Sequence, residues 1–167
     1  MLLSRFPRAR ICHRPTPLEP MENLTRLLDG PRLFVKRDDC TGLSTGGNKT
    51  RKLDFLMGAA LDEGADCVVT QGAVQSNHVR QTAAAAAKLG LGCHVLLERR
   101  VPHTDGGYEV TGNVFLDRLH GAEISFHATD QDMNALAREK ADELREAGKR
   151  PYFIPGGGSN WIGALGY

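Results

Sequence analysis

Short apolar runs alternate with longer segments of helical period along most of this chain, and the polar, glycine-rich stretches recur just after the runs. Cys67-Val68-Val69-Thr70, Cys93–Leu97, Ala122–Phe126 and Pro151–Ile154 read as strands, and Arg32–Lys36 as a further short one. Between them, Asn48 to Glu63 places Leu53, Leu56, Met57, Ala60 and Leu61 on one helical face, and Gly64 ends the helix. Ser76 is a good N-cap for a helix that runs through the Ala83–Ala87 stretch to Leu89, where Gly90 closes it. A polar loop passes through Pro102 and Gly106-Gly107, Asn113–Leu119 is a short helix, and Asp130 caps a charged amphipathic helix that ends at Ala147. Strands alternating with helices predict an α/β fold, a parallel sheet with helices on both faces. Ligands of such sheets bind beyond the carboxyl ends of the strands. Here those ends carry three turns, at 42–48, 71–77 and 155–160.

Bulk properties exclude several functions. Lys and Arg number 21 against 20 Asp and Glu, so no basic excess points to nucleic acid or an anionic membrane. No apolar run approaches the roughly 18–20 residues of a membrane span. The opening residues, Met1 to Arg8, contain no apolar core of signal-peptide length, and a cytoplasmic protein is expected. Cys12, Cys40, Cys67 and Cys93 have no close pairing and read as buried free thiols in a reducing compartment. The six histidines lack metal-ligand spacing with cysteines or each other, so no metal site is expected. Ile162 to Tyr167 reads as the opening of another helix with no stop signal, and the chain is expected to be a portion of a longer protein.

Three motifs carry the chemistry. In Thr45-Gly46-Gly47-Asn48-Lys49-Thr50-Arg51-Lys52-Leu53 a lysine sits on the first turn of a helix directly after a Gly-Gly turn. The run from Gly42 nearly matches a nucleotide P-loop, but Asn48 separates Gly47 from Lys49, and a P-loop needs its lysine next to the glycine. The plain alternative is a solvated helix start with Lys49, Arg51 and Lys52 exposed. Cations there oppose the helix dipole at roughly 0.3–1 kcal/mol each, a conflict that an anionic partner would relieve. Gln75-Ser76-Asn77-His78 opens a second helix. Ser76 could be an ordinary cap, or the amides of Ser76, Asn77 and His78 could form an anion site suited to a carboxylate. The His78 side chain could equally lie on the helix surface. Gly156-Gly157-Gly158-Ser159-Asn160 is either a turn solution or a place where a ligand approaches the backbone.

Taken together, Lys36-Arg37-Asp38-Asp39, Gly46 to Leu53, Gln75 to Ala83, and Gly157-Gly158-Ser159-Asn160 followed by Gly163 to Tyr167 resemble the aminocyclopropane-carboxylate deaminase / D-cysteine desulfhydrase family, in order and along essentially the whole chain. These are fold-type II pyridoxal-phosphate (PLP) enzymes related to the tryptophan synthase β-chain. The resemblance implies that Lys49 holds PLP covalently and later moves a proton, and that Asn48 helps position it. It implies that Asn77 bonds the phenolic oxygen of the cofactor ring and that Lys52 faces its phosphate. Ser76, Asn77 and the amide of His78 would hold the carboxylate of a small amino-acid substrate, with Ser76 sharing in the chemistry. Asp38 to Thr45 and Ile154 to Gly158 are most similar to members that cleave L-cysteate to pyruvate, sulfite and ammonium, with Arg80 and His78 as candidate partners of the sulfonate. D-cysteine desulfhydrase and the deaminase are the alternatives, and a non-catalytic fragment or pseudoenzyme acting as a binding module is the alternative of another class. Family members are about twice as long, so this chain is expected to be a truncated N-terminal portion, inactive alone and a homo-oligomer at full length. The phosphate cup and the pyridine-nitrogen partner are then expected in the other half. Trp161 departs from the family pattern, which has a small residue or proline there.

Overall fold

The computed structural model describes residues 2–102 and 105–167. Residues 103 and 104 of the predicted polar loop, and Met1, lie outside the described residues. Strands β1 (Leu18–Pro20) and β2 (Phe34–Lys36) pair antiparallel and flank the short helix α1 (Glu22–Leu28). There follow α2 (Lys49–Asp62), β3 (Cys67–Ala73), α3 (Asn77–Leu89), β4 (Gly92–Glu98), α4 (Gly112–Leu119), β5 (Glu123–His127), α5 (Met133–Glu146), β6 (Pro151–Ile154) and the short α6 (Trp161–Ala164). The last four strands form one parallel sheet in the order β5-β4-β3-β6.

The strands read as apolar runs because helices cover both faces of the sheet. Side chains alternate across it. Val68, Val95, Leu97 and Ile154 face α2 and α3 in the larger core, while Val69 and Leu96 face Met133, Ala137 and Ala141 of α5. Small side chains at Ala83 to Ala86, all buried, let α3 lie close to its neighbours. Cys67 and Cys93 are buried in β3 and β4, and desolvation pushes the Cys67 thiol up to about 11. Cys40, by contrast with the expectation, is exposed.

Other expectations need correction. Leu61 is exposed and lies outside the buried stripe formed by Leu53, Leu56, Met57 and Ala60. Asp130 does not cap α5. It takes a left-handed φ of 70°, and the cap is Asp132, whose carboxylate accepts from the amides of Asn134 and Ala135, both at 3.0 Å. Strand β1 and helix α1 had no signal in the sequence: one is three residues long and the other buries no side chain.

Candidate active site

Beyond the carboxyl end of β3, a cavity of about 400 Å³ is lined by Lys49, Gln71, Gly72, Ala73, Ser76, Asn77, His78, Arg100, Asn134, Gly156 and Gly157. The two predicted turns at 71–77 and 155–160 therefore meet, and the first residue of α2 joins them. The turn at 42–48 contributes indirectly, by setting where α2 begins. Gly46 and Gly47 have φ of 73° and 137°, and a Cβ on Gly46 would stand 1.7 Å from the Asp39 carbonyl oxygen. Only glycine fits there. Thr41 Oγ1 accepts the Gly47 amide at 2.9 Å and closes the turn.

The starts of α2 and α3 are clamped together. Gln81, fully buried on α3, accepts from both the Thr50 amide and the Thr50 hydroxyl at 3.0 Å, and donates to the Asn77 carbonyl at 2.8 Å. Asn77 Nδ2 donates to Asn48 Oδ1 at 3.2 Å, and the Tyr167 hydroxyl donates to the Asn48 carbonyl at 2.9 Å. Lys49 thus stands on a helix end fixed at three neighbouring points. The charge conflict at this helix start is partly resolved within the chain, because Arg51 pairs with Asp38 at 2.6 Å.

At the α3 start, Ser76 is the N-cap and its hydroxyl accepts the Val79 amide at 3.3 Å. The Ser76 amide is not available to an anion, since it donates to the Ala73 carbonyl at 2.9 Å. The Asn77 and His78 amides have no partner among the described residues and point out of the helix end, which favours negative charge there. The expected three-amide site is therefore a two-amide site.

His78 is not a surface histidine. Its ring is buried, and Nε2 lies 2.9 Å from Thr70 Oγ1. That hydroxyl already donates to the Ile154 carbonyl at 2.8 Å, so Nε2 must carry the proton and donate to it. Nδ1 is left as an acceptor without a partner, as is Gln71 Oε1, and both residues line the cavity. Burial, with the charges of Lys49 and Lys52 adding, pulls the His78 pKa down to about 3, so the ring is neutral.

Two predicted cations stand elsewhere. Lys52 donates to the Gly157 carbonyl and to Ser159 Oγ, each at 3.1 Å, and does not line the cavity. Burial, then the charge of Lys49, lowers its pKa. Arg80 is only 6% exposed and faces away: it donates to Asn113 Oδ1 at 2.8 Å and to the carbonyls of Ser44 and Gly46, clamping the 42–48 turn. It is not a sulfonate partner. Near it, the buried Asp117 of α4 has no hydrogen-bond partner on either carboxylate oxygen among the described residues. Burial pushes its carboxyl up to about 7, against the opposing pull of Arg80. Trp161 is exposed and meets the Phe6 ring edge-on at 6.2 Å, away from the cavity.

Gln71, Arg100 and Asn134 line the cavity without having been expected there. Gln71 lay within a predicted turn. Arg100 follows the carboxyl end of β4, where the strand-end rule applied to every strand would have looked. Asn134 lies in the first turn of α5, and its Oδ1 accepts from Gln71 Nε2 at 3.1 Å and the Gly156 amide at 3.2 Å.

Residues 10–167 match the model of the pyridoxal-phosphate dependent enzyme family. The chain belongs to that family. A solved structure described as an ACC deaminase homologue superposes with a TM-score of 0.88 at 43% identity, over 99% of this chain and 49% of the other. This chain thus spans about half the length of that relative. The fold is accordingly the fold-type II PLP architecture, and the family's cofactor is pyridoxal phosphate.

The residues present fit that cofactor. Lys49 offers a primary amine at the cavity wall, beside the Asn48–Asn77 amide pair. Gly157 and Gly158 take left-handed φ of 66° and 61°, and a Cβ on Gly156 would come within 2.3 Å of Gln71 Nε2, so the glycines let this turn pack directly against the cavity wall. The unpartnered Gln71 Oε1 and His78 Nδ1 offer acceptors on the same wall. Among the described residues no helix is long and apolar enough to cross a membrane, and no group of three or more His, Cys, Asp or Glu could hold a metal ion.

Proposed function

We propose that this chain forms one wall of the active site of a PLP-dependent carbon–sulfur lyase that converts L-cysteate and water to pyruvate, sulfite and ammonium. The observation that carries the reading is the meeting of Lys49, Ser76, Asn77 and Gly156–Gly157 around one cavity at the carboxyl end of β3. Bound there, PLP supplies an electron sink for charge that develops at the substrate α-carbon. Lys49 would hold the cofactor covalently, and its amine would serve as the base that takes the α-proton. The Asn77 and His78 amides, with the Ser76 hydroxyl, hold the substrate carboxylate and fix which face of the α-carbon meets Lys49. Asn77, held by Asn48, would contact the cofactor ring. His78, kept neutral, adds no competing cation beneath the site. The reading takes the chain as the N-terminal portion of a longer, homo-oligomeric enzyme, whose other portion supplies further phosphate donors. That agrees with its 49% coverage of the solved relative.

A second reading, a deaminase, is favoured by the 43% identity to the ACC deaminase homologue. Borohydride treatment of the full-length protein should fix the cofactor to the peptide containing Asn48-Lys49, and Lys49→Ala should abolish turnover. Sulfite from L-cysteate should form faster than sulfide from D-cysteine or ammonium from aminocyclopropane carboxylate. Cofactor fixed on Lys52, or activity kept by Lys49→Ala, overturns the site. A preference for either competing substrate overturns the reaction.

A further inference from the structure

We infer that Arg100 is the specificity-determining residue of this cavity, the cation that engages a second acidic group on the substrate and selects amino acids with an anionic β-substituent. The inference deepens the reading above and rests on it. Among the described residues that line the cavity, Lys49 and Arg100 are the only cations and none is a carboxylate, the Glu98 carboxylate meeting Arg100 from outside that lining. An amino acid with an acidic β-substituent brings two anions and one ammonium into this space. Burying the second anion without a partner is unfavourable, so a donor must meet it.

The other cations near the cavity are committed, and the remaining unused donor on its wall, the Asn134 side-chain amide, carries no charge. Lys49 belongs to the cofactor in this reading, and the α3 amides belong to the α-carboxylate. Lys52 is held by Gly157 and Ser159, and Arg80 by the 42–48 turn. Arg99, next in sequence, is paired with Glu109 at 2.6 Å. Arg100 remains. It is ion-paired with Glu98 at 2.5 Å, but through Nε alone, whereas Arg99 is held through both Nε and Nη2 and does not line the cavity; with the Arg100 amide donating to the Glu98 carbonyl at 3.0 Å, this pairing anchors the side chain at the end of β4. The two Nη groups have no hydrogen-bond partner among the described residues. A guanidinium held by Nε presents those two as a planar fork, a geometry that matches two oxygens of a sulfonate or carboxylate. The sequence pointed to Arg80 and His78 for this role; Arg80 clamps the 42–48 turn and His78 is a buried neutral ring, and Arg100 is the cation on the cavity wall.

The test uses the full-length holoenzyme and the variants Arg100→Gln and Arg100→Lys. Two quantities are read: the ratio of kcat/KM for L-cysteate to that for β-chloroalanine, whose β-substituent is neutral, and the Ki ratio of propanoate to 3-sulfopropanoate against whichever amino acid the enzyme turns over. Loss of a charge-assisted hydrogen bond predicts that both ratios fall by roughly 10- to 100-fold in Arg100→Gln, and that Arg100→Lys recovers part of each. The visible absorbance of the bound cofactor checks that each variant is folded and loaded. Ratios unchanged within about twofold in Arg100→Gln overturn the inference. A wild-type enzyme that releases no sulfite from L-cysteate overturns the proposed reaction instead, and the inhibitor ratio then still decides the role of Arg100.

Discussion

Asp117→Asn is expected to flatten the pH dependence of stability. In the folded protein the Asp117 carboxyl is buried, lacks a hydrogen-bond partner among the described residues, and is raised from 3.8 to about 7. Between pH ~4 and ~7 the unfolded carboxyl is ionised while the folded one keeps its proton. Folding then takes up a proton, so stability falls as pH rises through that window and the loss is complete above it. The whole shift corresponds to ~4 kcal/mol, of which ~3 kcal/mol falls between pH 5 and 8. Asparagine keeps the shape and cannot ionise. Its own amide is also left without partners, at ~1–3 kcal/mol, but that cost is the same at both pH values. The quantity to compare is therefore the change in unfolding free energy from pH 5 to 8, from urea titrations followed by far-UV circular dichroism. His120, which bonds Ser44 Oγ nearby at 2.6 Å, titrates in both proteins and cancels in the comparison. Wild type should lose ~3 kcal/mol more than Asp117→Asn. The same slope in both proteins would refute the view that burial of an unpartnered carboxylate dominates here.

Gln81→Leu should lower stability by ~1–3 kcal/mol, because the Thr50 amide and hydroxyl lose their buried acceptor, and it should raise hydrogen exchange at the start of α2 before the rest of the helix. Ser76→Ala should cost ~0.5–2 kcal/mol as a lost cap, read by denaturation, while turnover of the full-length enzyme falls and the cofactor stays bound. His78 should remain neutral down to about pH 4, since its pKa is pulled to about 3, and nitrogen chemical shifts should report the Nε2–H form; titration near 6.5 would contradict its burial.

What could be read from the sequence was what is local. Ser76 and Gly90 mark the ends of α3 within their own few residues, and Leu53, Leu56, Met57 and Ala60 declare a buried stripe by spacing alone. Lys49 stood out because a glycine turn and a helix start are adjacent in sequence. Arg80 and Arg100 could not be ranked in that way. Which of them reaches the cavity depends on the parallel pairing of β4 with β3 and on the side of α3 that packs inward. Asn134 reaches Gln71 across 63 positions, from a helix on the opposite face of the sheet. The cap expected at Asp130 lies two positions on at Asp132, since both residues have the right chemistry and only the backbone angle separates them.

The strand order sets a schedule for the nascent chain. β3 pairs early with β4, its sequence neighbour in the sheet, but its other edge waits for β6, and the Thr70–Ile154 contact spans 84 positions. At a synthesis rate of ~5–20 residues per second that edge stays open for roughly 4–17 s, with apolar side chains on both faces of the strand. Gly156 and Gly157 follow β6 directly, so the part of the pocket that this chain lines is assembled only when this edge closes. This lining is thereby tied to the pairing of β6, and an unclosed intermediate offers sticky strand edges to chaperones or to its own kind before it offers a home to a ligand.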